Sequence, residues 1–258
     1  MSDELTTPGG KLRLFVEAAL GQGARVEPDE GQSHYLLHVM RGKIGDRISL
    51  FNGRDGEWLA HIAEISKRNC ILECERLTAP QREVPDVWLV FAPIKKTPAD
   101  YLTQKATELG VRVLQPVMTR RTVVTRVNLE RMRANAVEAA EQSGRLGVPE
   151  VRETVTFEKL LDSWPGERQL LFCDEGAAAA QHSGEASPIA ECLHSAPDGP
   201  WAVITGPEGG FDPAERARLR ELPFVVPVLL GGRILRADTA ALAALAVWQS
   251  IRGDWRRG

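Results

Sequence analysis

The sequence predicts an α/β chain in two parts: a small barrel of short strands, then a larger, mainly parallel sheet covered by helices. Three observations carry this. The first 80 residues hold short, closely spaced runs of alternating or apolar residues, as a small barrel requires. The stretch from Ala79-Pro80 through Val84-Pro85 punctuates the chain and is its best boundary, dividing it into 1–79 and 80–258. Beyond it the rhythm becomes strand, helix, strand, helix, which implies parallel strands joined by crossover helices.

Taken in order, Lys11–Val16 opens the first part as a strand. Ser33–Arg41 reads as a short helix, Asp46–Asn52 as a strand and Asn52-Gly53 as a turn; Glu57–Ser66 and Asn69–Leu77 are further strands. In the second part Val87–Phe91 is an apolar run suited to a buried parallel strand. Thr97-Pro98-Ala99-Asp100 starts a helix with Thr97 as N-cap. Leu102, Ala106 and Leu109 share one face of it, and Gly110 stops it. Arg112–Val117 is a strand, and Asn128–Ser143 is a long helix ending at Gly144. Gln169–Cys173, Trp201–Thr205 and Val225–Leu230 are strands, and Asp238–Ile251 is the last helix. The middle of that helix, Ala-Ala-Leu-Ala-Ala-Leu-Ala-Val, is apolar on every side, which implies burial all round, in the chain's own core or in a subunit interface. Ala177–Ala180, the one low-complexity stretch, belongs to a polar segment read as a surface loop.

Composition narrows the function classes. With 43% hydrophobic and 26% charged residues in 258, the chain is ordinary globular protein, and it is long enough to bury a core without staples. No apolar run approaches the roughly 18 residues of a membrane span. Met1-Ser2-Asp3-Glu4 is acidic rather than a secretory signal, and four cysteines without a Cys-x-x-Cys suit a reducing cytoplasm. The net charge of −3 alone argues against a nucleic-acid partner, but its distribution does not. Arg120, Arg121, Arg126, Arg131 and Arg133 share a short stretch opposed only by Glu130, a patch able to hold phosphates or simply to be a solvated face.

Two segments have the form of ligand sites. Trp201–Thr205 runs into Gly206-Pro207-Glu208-Gly209-Gly210-Phe211, after which Asp212-Pro213-Ala214-Glu215 begins a capped helix. Val225–Leu230 runs into Gly231-Gly232, and Arg233 to Thr239 lead into the last helix. Both are glycine-rich bends at the carboxyl end of a strand, where open α/β sheets bind ligands. If the two strands are neighbours, the bends face each other across one cleft; each bend alone could be a tight turn. Neither is a Walker loop or a Gly-x-Gly-x-x-Gly fingerprint. His34 and His38, four apart, lack the glutamate of a zinc-protease helix, Cys70 and Cys74 share a strand face as core residues do, and no metal site is expected. Glu141 to Arg145 end a helix, where Arg145 could serve as a plain cap.

These motifs together resemble one family. His34 to Arg41, Gly45 to Gly53, Gln104 to Val111, Glu141-Gln142-Ser143-Gly144-Arg145, Gly206 to Phe211 and Leu230 to Ala241 resemble, in order and spacing, the 16S ribosomal RNA uridine-N3 methyltransferases called RsmE, of the SPOUT class. The resemblance covers nearly the whole chain. It departs where the family often has proline at Gly232 and glutamate or serine at Ala237-Asp238, and Thr119 to Val123 match the family's loop only loosely.

The resemblance implies a PUA-like β-barrel that helps bind RNA, a trefoil-knotted parallel-sheet domain, and a homodimer. It implies S-adenosylmethionine as cofactor, held by Thr205, Gly206, Glu208, Gly210, Leu230, Gly231, Ile234, Leu235, Arg236 and Thr239. The substrate it implies is uridine 1498 of 16S ribosomal RNA in the small ribosomal subunit, with Arg41, Arg120, Arg121 and Arg126 meeting the RNA. Methylating uracil N3 requires loss of its proton and stabilisation of the resulting anion. Arg145 or Arg236 is the expected cation and Glu141 the expected proton acceptor. Two competing classes remain at this point: a knotted methyltransferase of another RNA, and a non-catalytic RNA-binding or assembly module. A plain nucleotide-binding enzyme is disfavoured by the missing phosphate loop.

Overall fold

A computed structural model describes residues 12–174 and 186–257. The Ala177–Ala180 stretch lies outside the described residues. The chain divides into two compact units, the first holding the described part of Met1–Glu83 with Ala140–Val148, the second Val84–Ala139 with the described part of Pro149–Gly258.

In the first unit β1 (Arg13–Phe15), β2 (Arg25–Val26), β3 (Arg47–Phe51), β4 (Glu57–Ile65) and β5 (Cys70–Ala79) form a sheet of order β1-β3-β4-β5-β2. Only the β1–β3 pair is parallel. Register shifts at three places in the β4–β5 ladder increase the local twist and curl the sheet over its core. Leu14, Ile48, Leu50, Ile62 and Leu72 fill that core, with Cys70 and Cys74 among them. The helix expected from Ser33 begins earlier. Asp29 and Gln32 make a reciprocal capping box, so α1 spans Glu30–His34 and passes into a π-helical turn, Tyr35–Val39. His34 and His38 lie ring against ring, with centroids 4.8 Å apart.

Arg13 is one of the residues that tie the segment 140–148 into this unit. Its guanidinium donates to the carbonyls of Ala140 at 2.9 Å, Glu141 at 3.0 Å and Arg145 at 2.6 Å. It also pairs with the buried carboxylate of Glu57 at 2.7 Å and lies over the Phe51 ring. One side chain thereby holds three carbonyls at and just past the end of the helix that stops at Ser143. A single cut at 79/80 does not describe this second passage through the first unit.

The second unit is built on β6 (Val87–Phe91), β7 (Val113–Met118), β8 (Glu150–Val151), β9 (Val155–Thr156), β10 (Gln169–Cys173), β11 (Ser187–Pro188), β12 (Trp201–Thr205) and β13 (Val225–Leu229). The order is β11-β13-β10-β12-β6-β7-β8, with β9 on β7, and every pairing is parallel. The helices are α2 (Lys96–Glu108), α3 (Leu129–Ser143), α4 (Phe157–Asp162), α5 (Ile189–Ser195), α6 (Pro213–Glu221) and α7 (Ala237–Ile251). Two apolar clusters form, with Leu89, Leu171 and Val203 in one and Val90, Phe172 and Ile204 in the other. Such alternation along β6, β10 and β12 is what a sheet covered on both faces demands.

Two helix expectations are corrected. The first helix starts at Lys96 with Lys95 as a cap lacking a side-chain bond, so Thr97 falls inside the first turn. The last helix is not buried all round: Ala241, Ala244, Leu245, Trp248 and Gln249 form one buried face, while Leu242, Ala243, Ala246 and Val247 are half-buried. The buried Gln249 amide donates to the Leu109 carbonyl at 2.6 Å, and a Cβ on Gly110, at φ +81°, would stand 2.6 Å from that amide nitrogen. Glycine is therefore required there twice over, by backbone sign and by space.

Among the described residues no helix is long and apolar enough to cross a membrane, and no cluster of three His, Cys, Asp or Glu could hold a metal ion.

Candidate active site

In the second unit β13, β10, β12 and β6 are consecutive neighbours, so the two glycine bends are separated by one strand. At the carboxyl ends of these four strands lies a cleft of about 460 Å3. Thr205, Gly206, Glu208 and Gly210 line one side of it; Leu230, Gly231, Ile234, Leu235 and Arg236 line the other. Thr239 does not line the cleft: on α7 its neighbours Asp238 and Ala240 face inward, while Thr239 is exposed.

The first bend is held from several directions. The Ala92 amide donates to the Thr205 carbonyl at 3.0 Å, and the Gly210 amide closes a turn on Pro207 at 2.9 Å. Phe211 drives its ring into the core, edge-on to Phe172 with centroids 5.3 Å apart. Asp212 and Glu215 form the reciprocal cap of α6 that the sequence predicts, with Pro213 in the first turn. Arg120 pairs with Asp212 at 3.2 Å, and Arg121 donates to the Gly209 carbonyl at 3.0 Å. These two arginines, expected to meet phosphates, thus also brace the bend.

The second bend is looser. Among the described residues, 230–235 make no hydrogen bond outside the strand ladders. Gly231 has φ +99°, and a Cβ there would meet nothing within 4 Å. Ile234 is 76% exposed although it lines the cleft. Arg233 and Arg236 are exposed there without an ion pair among the described residues.

Sequence reasoning missed the rest of the lining, because it could not order the strands. Ile94, Lys95 and Pro98 enter from the end of β6, and Cys173 and Asp174 from the end of β10. Asp174 is buried and is held by Arg216 at 3.0 Å and Arg220 at 2.7 Å, so its charge is compensated. The Cys173 thiol is enclosed although the residue as a whole is partly exposed, and burial pushes it up to about 12. At neutral pH it is a thiol, not a thiolate nucleophile.

Glu141 and Arg145 are not part of this lining. Both belong to the first unit, where Glu141 accepts from the Phe15 amide at 3.0 Å and Arg145 donates to the Gly147 carbonyl at 3.0 Å. Arg126 lines a second cavity, and Arg41, exposed, has φ +56° just past the π-helical turn.

Comparison with known proteins places this architecture. Residues 81–249 match the RNA methyltransferase domain, and residues 28–74 match the RNA methyltransferase PUA domain. Over 236 residues the chain is 32% identical to Ribosomal RNA small subunit methyltransferase E of Rickettsia conorii, covering 91% of this chain and 93% of that one. The chain belongs to the ribosomal RNA small subunit methyltransferase E family. The family's Bacillus subtilis member is 33% identical over 236 residues, 86% of this chain and 90% of its own. A crystal structure of the Neisseria gonorrhoeae member, bound to S-adenosyl methionine, superimposes with a TM-score of 0.83 at 29% identity, covering 95% of this chain and 99% of that one. The first unit of this family member is PUA-like, and the second is its α/β methyltransferase part.

The cleft fits a sulfonium nucleoside on its own terms. Apolar side chains of Ile94, Leu230, Ile234 and Leu235 offer cover for a flat base. The backbone can be approached at Gly231, where a Cβ would meet nothing within 4 Å, whereas at Gly206 the space of a Cβ is taken by the Phe211 ring at 3.0 Å. Glu208 and Asp238 can meet an ammonium, and Arg233 and Arg236 a carboxylate.

Proposed function

We propose that the protein transfers a methyl group from S-adenosylmethionine to N3 of a uridine, uridine 1498, in the 16S ribosomal RNA of the small subunit. The observation that supports this most is the single cleft at four adjacent strand ends, walled by both glycine bends and large enough for the cofactor. The structural relative that binds S-adenosyl methionine aligns over 95% of this chain.

In this reading Thr205, Gly206, Glu208 and Gly210 hold the cofactor from one side, and Leu230, Gly231, Ile234, Leu235 and Arg236 from the other. When bound, S-adenosylmethionine supplies a methyl group already activated on sulfur. The protein's own work is then to orient the acceptor and remove its proton. Aligning nucleophile and methyl about 3–3.5 Å apart accounts for a large part of the acceleration. The N3 anion spreads onto the ring oxygens, so a guanidinium aimed there stabilises it. Arg236 on the cleft rim is the group for this; Arg145 and Glu141, the expected second cation and proton acceptor, stand outside the lining of the cleft. Arg41, Arg120, Arg121 and Arg126 bind phosphates. The first unit serves as the RNA-holding part and the second as the knotted, methyl-transferring part, in a cytoplasmic homodimer whose contact uses the half-buried flank of α7 at Leu242 and Val247.

Mass spectrometry of 16S RNA from cells lacking this gene tests the reading. Loss of one methyl group at the uridine N3 position, restored by the wild-type gene, is expected. A methyl missing from another base or another RNA overturns it.

A further inference from the structure

A second cavity, of about 380 Å3, lies wholly in the second unit between α2, α3 and the loop that precedes α3. It adjoins the cleft, since Ile94 lines both. Its floor is apolar and buried: Phe91, Ile94 and Met132 are each no more than 5% exposed. Its polar walls are largely satisfied from within. Asp100 takes both ends of the Arg131 guanidinium, at 2.8 and 2.6 Å, and accepts from the Asn135 amide at 2.9 Å. The Asn128 side-chain oxygen accepts from the Arg131 amide at 3.0 Å. Arg126 is the exception: it lines the cavity, is exposed, and has no hydrogen bond or ion pair among the described residues.

An apolar floor with one uncommitted guanidinium at its edge suits a ligand with a flat, weakly polar body and an anionic group. Arg126 and Arg131 against Asp100 leave the lining with one excess positive charge. A nucleotide has that form, whereas a free anion would not use the floor.

We infer that this second cavity seats a pyrimidine nucleotide of the RNA, with its base on the Phe91–Ile94–Met132 floor and its phosphate on Arg126. The inference rests on the proposed RNA-methylating reading and adds where a nucleotide enters relative to the cofactor. Ile94, shared by the two cavities, is then the partition between nucleotide and cofactor.

Uridine 5′-monophosphate, titrated into the whole protein with labelled methyl groups, tests this. The Met132 and Ile94 methyl resonances are expected to move while those of Leu230 stay. Arg126→Ala is expected to weaken the nucleotide about tenfold, the loss of one charge-assisted contact, and to leave uridine without phosphate unaffected. S-adenosylmethionine binding by Arg126→Ala should match wild type. Movement at Leu230 without Met132, no movement at millimolar nucleotide, or unchanged nucleotide affinity in Arg126→Ala each overturns the inference. Absence of S-adenosylmethionine binding in the wild type instead counts against the cofactor reading, and the nucleotide titration is read independently of it.

Discussion

The two walls of the cleft are made from the same local recipe, a buried strand running into a glycine bend and then a helix, yet they are held very differently. The Gly206–Phe211 wall is tied by turn, carbonyl, cap and arginine contacts, and a phenylalanine roots it in the core. Among the described residues the Leu230–Arg236 wall is held by its strand and helix ends alone, and Ile234 is exposed to solvent. One wall is preorganised; among the described residues the other carries no such ties. In such a pair the fixed side sets geometry, and the free side gains most of its order when ligand arrives, drawing on the low-stability end of the local opening spectrum.

The contrast is broken most severely at Phe211. Phe211→Ala removes the root of the fixed wall and should cost about 3–5 kcal/mol of stability, read from urea unfolding. A cost near zero would mean that the wall is not anchored through the core.

The glycines sharpen the comparison further. Gly210→Val places a β-branched residue at φ +65° in the fixed wall. Calorimetry should show S-adenosylmethionine affinity reduced on the order of a hundredfold, from strain that this wall cannot relax. Gly231→Ala meets the same sign problem at φ +99°, but with open space and a looser wall, and should lose only about tenfold. Equal losses at both glycines would erase the distinction between the walls.

A smaller effect is expected at Ile234. Because it is exposed in the absence of ligand, Ile234→Ala should change stability by less than about 0.5 kcal/mol. It should nonetheless weaken cofactor binding severalfold, as apolar contact made only in the complex is lost. The reverse pattern would show the side chain to be structural.

A last effect, absent at neutral pH and confined to alkali, is a pH dependence from Cys173, which sits between the walls. Its folded value, about 12, lies above the unfolded 9.0. Its contribution is full below pH 9 and is lost as pH rises towards 12, because the unfolded chain gives up its proton first. One such group changes stability by at most about 1.4 kcal/mol per pH unit in that window. Chemical denaturation of Cys173→Ala against wild type between pH 8 and 11 checks this, and parallel curves would contradict it.

What could be read from the sequence follows the same division between local and distant causes. Both bends, the Asp212–Glu215 cap and the edges of β6, β10 and β12 were legible, since each depends on residues within a few positions of one another. Thr239 was misplaced for a local reason: helical rotation turns it away between two lining neighbours. The contributions of Ile94 and Asp174 were hidden, because strand order is a tertiary fact. The Arg13 clamp was hidden more deeply still. Its partners Ala140 and Arg145 are 127 and 132 residues away, and nothing near Arg13 in the chain announces them. Likewise the last helix read as buried all round because alanine and leucine cover it, whereas within one chain only one face is covered.

Amide hydrogen exchange with and without S-adenosylmethionine tests the central claim most directly, because it reports both walls in one experiment. Slow exchange at Gly210 in the free protein, and new protection from Leu230 through Arg236 on adding the cofactor, are the predicted results. Cofactor binding that protects neither wall, or protection confined to another part of the chain, would contradict the account.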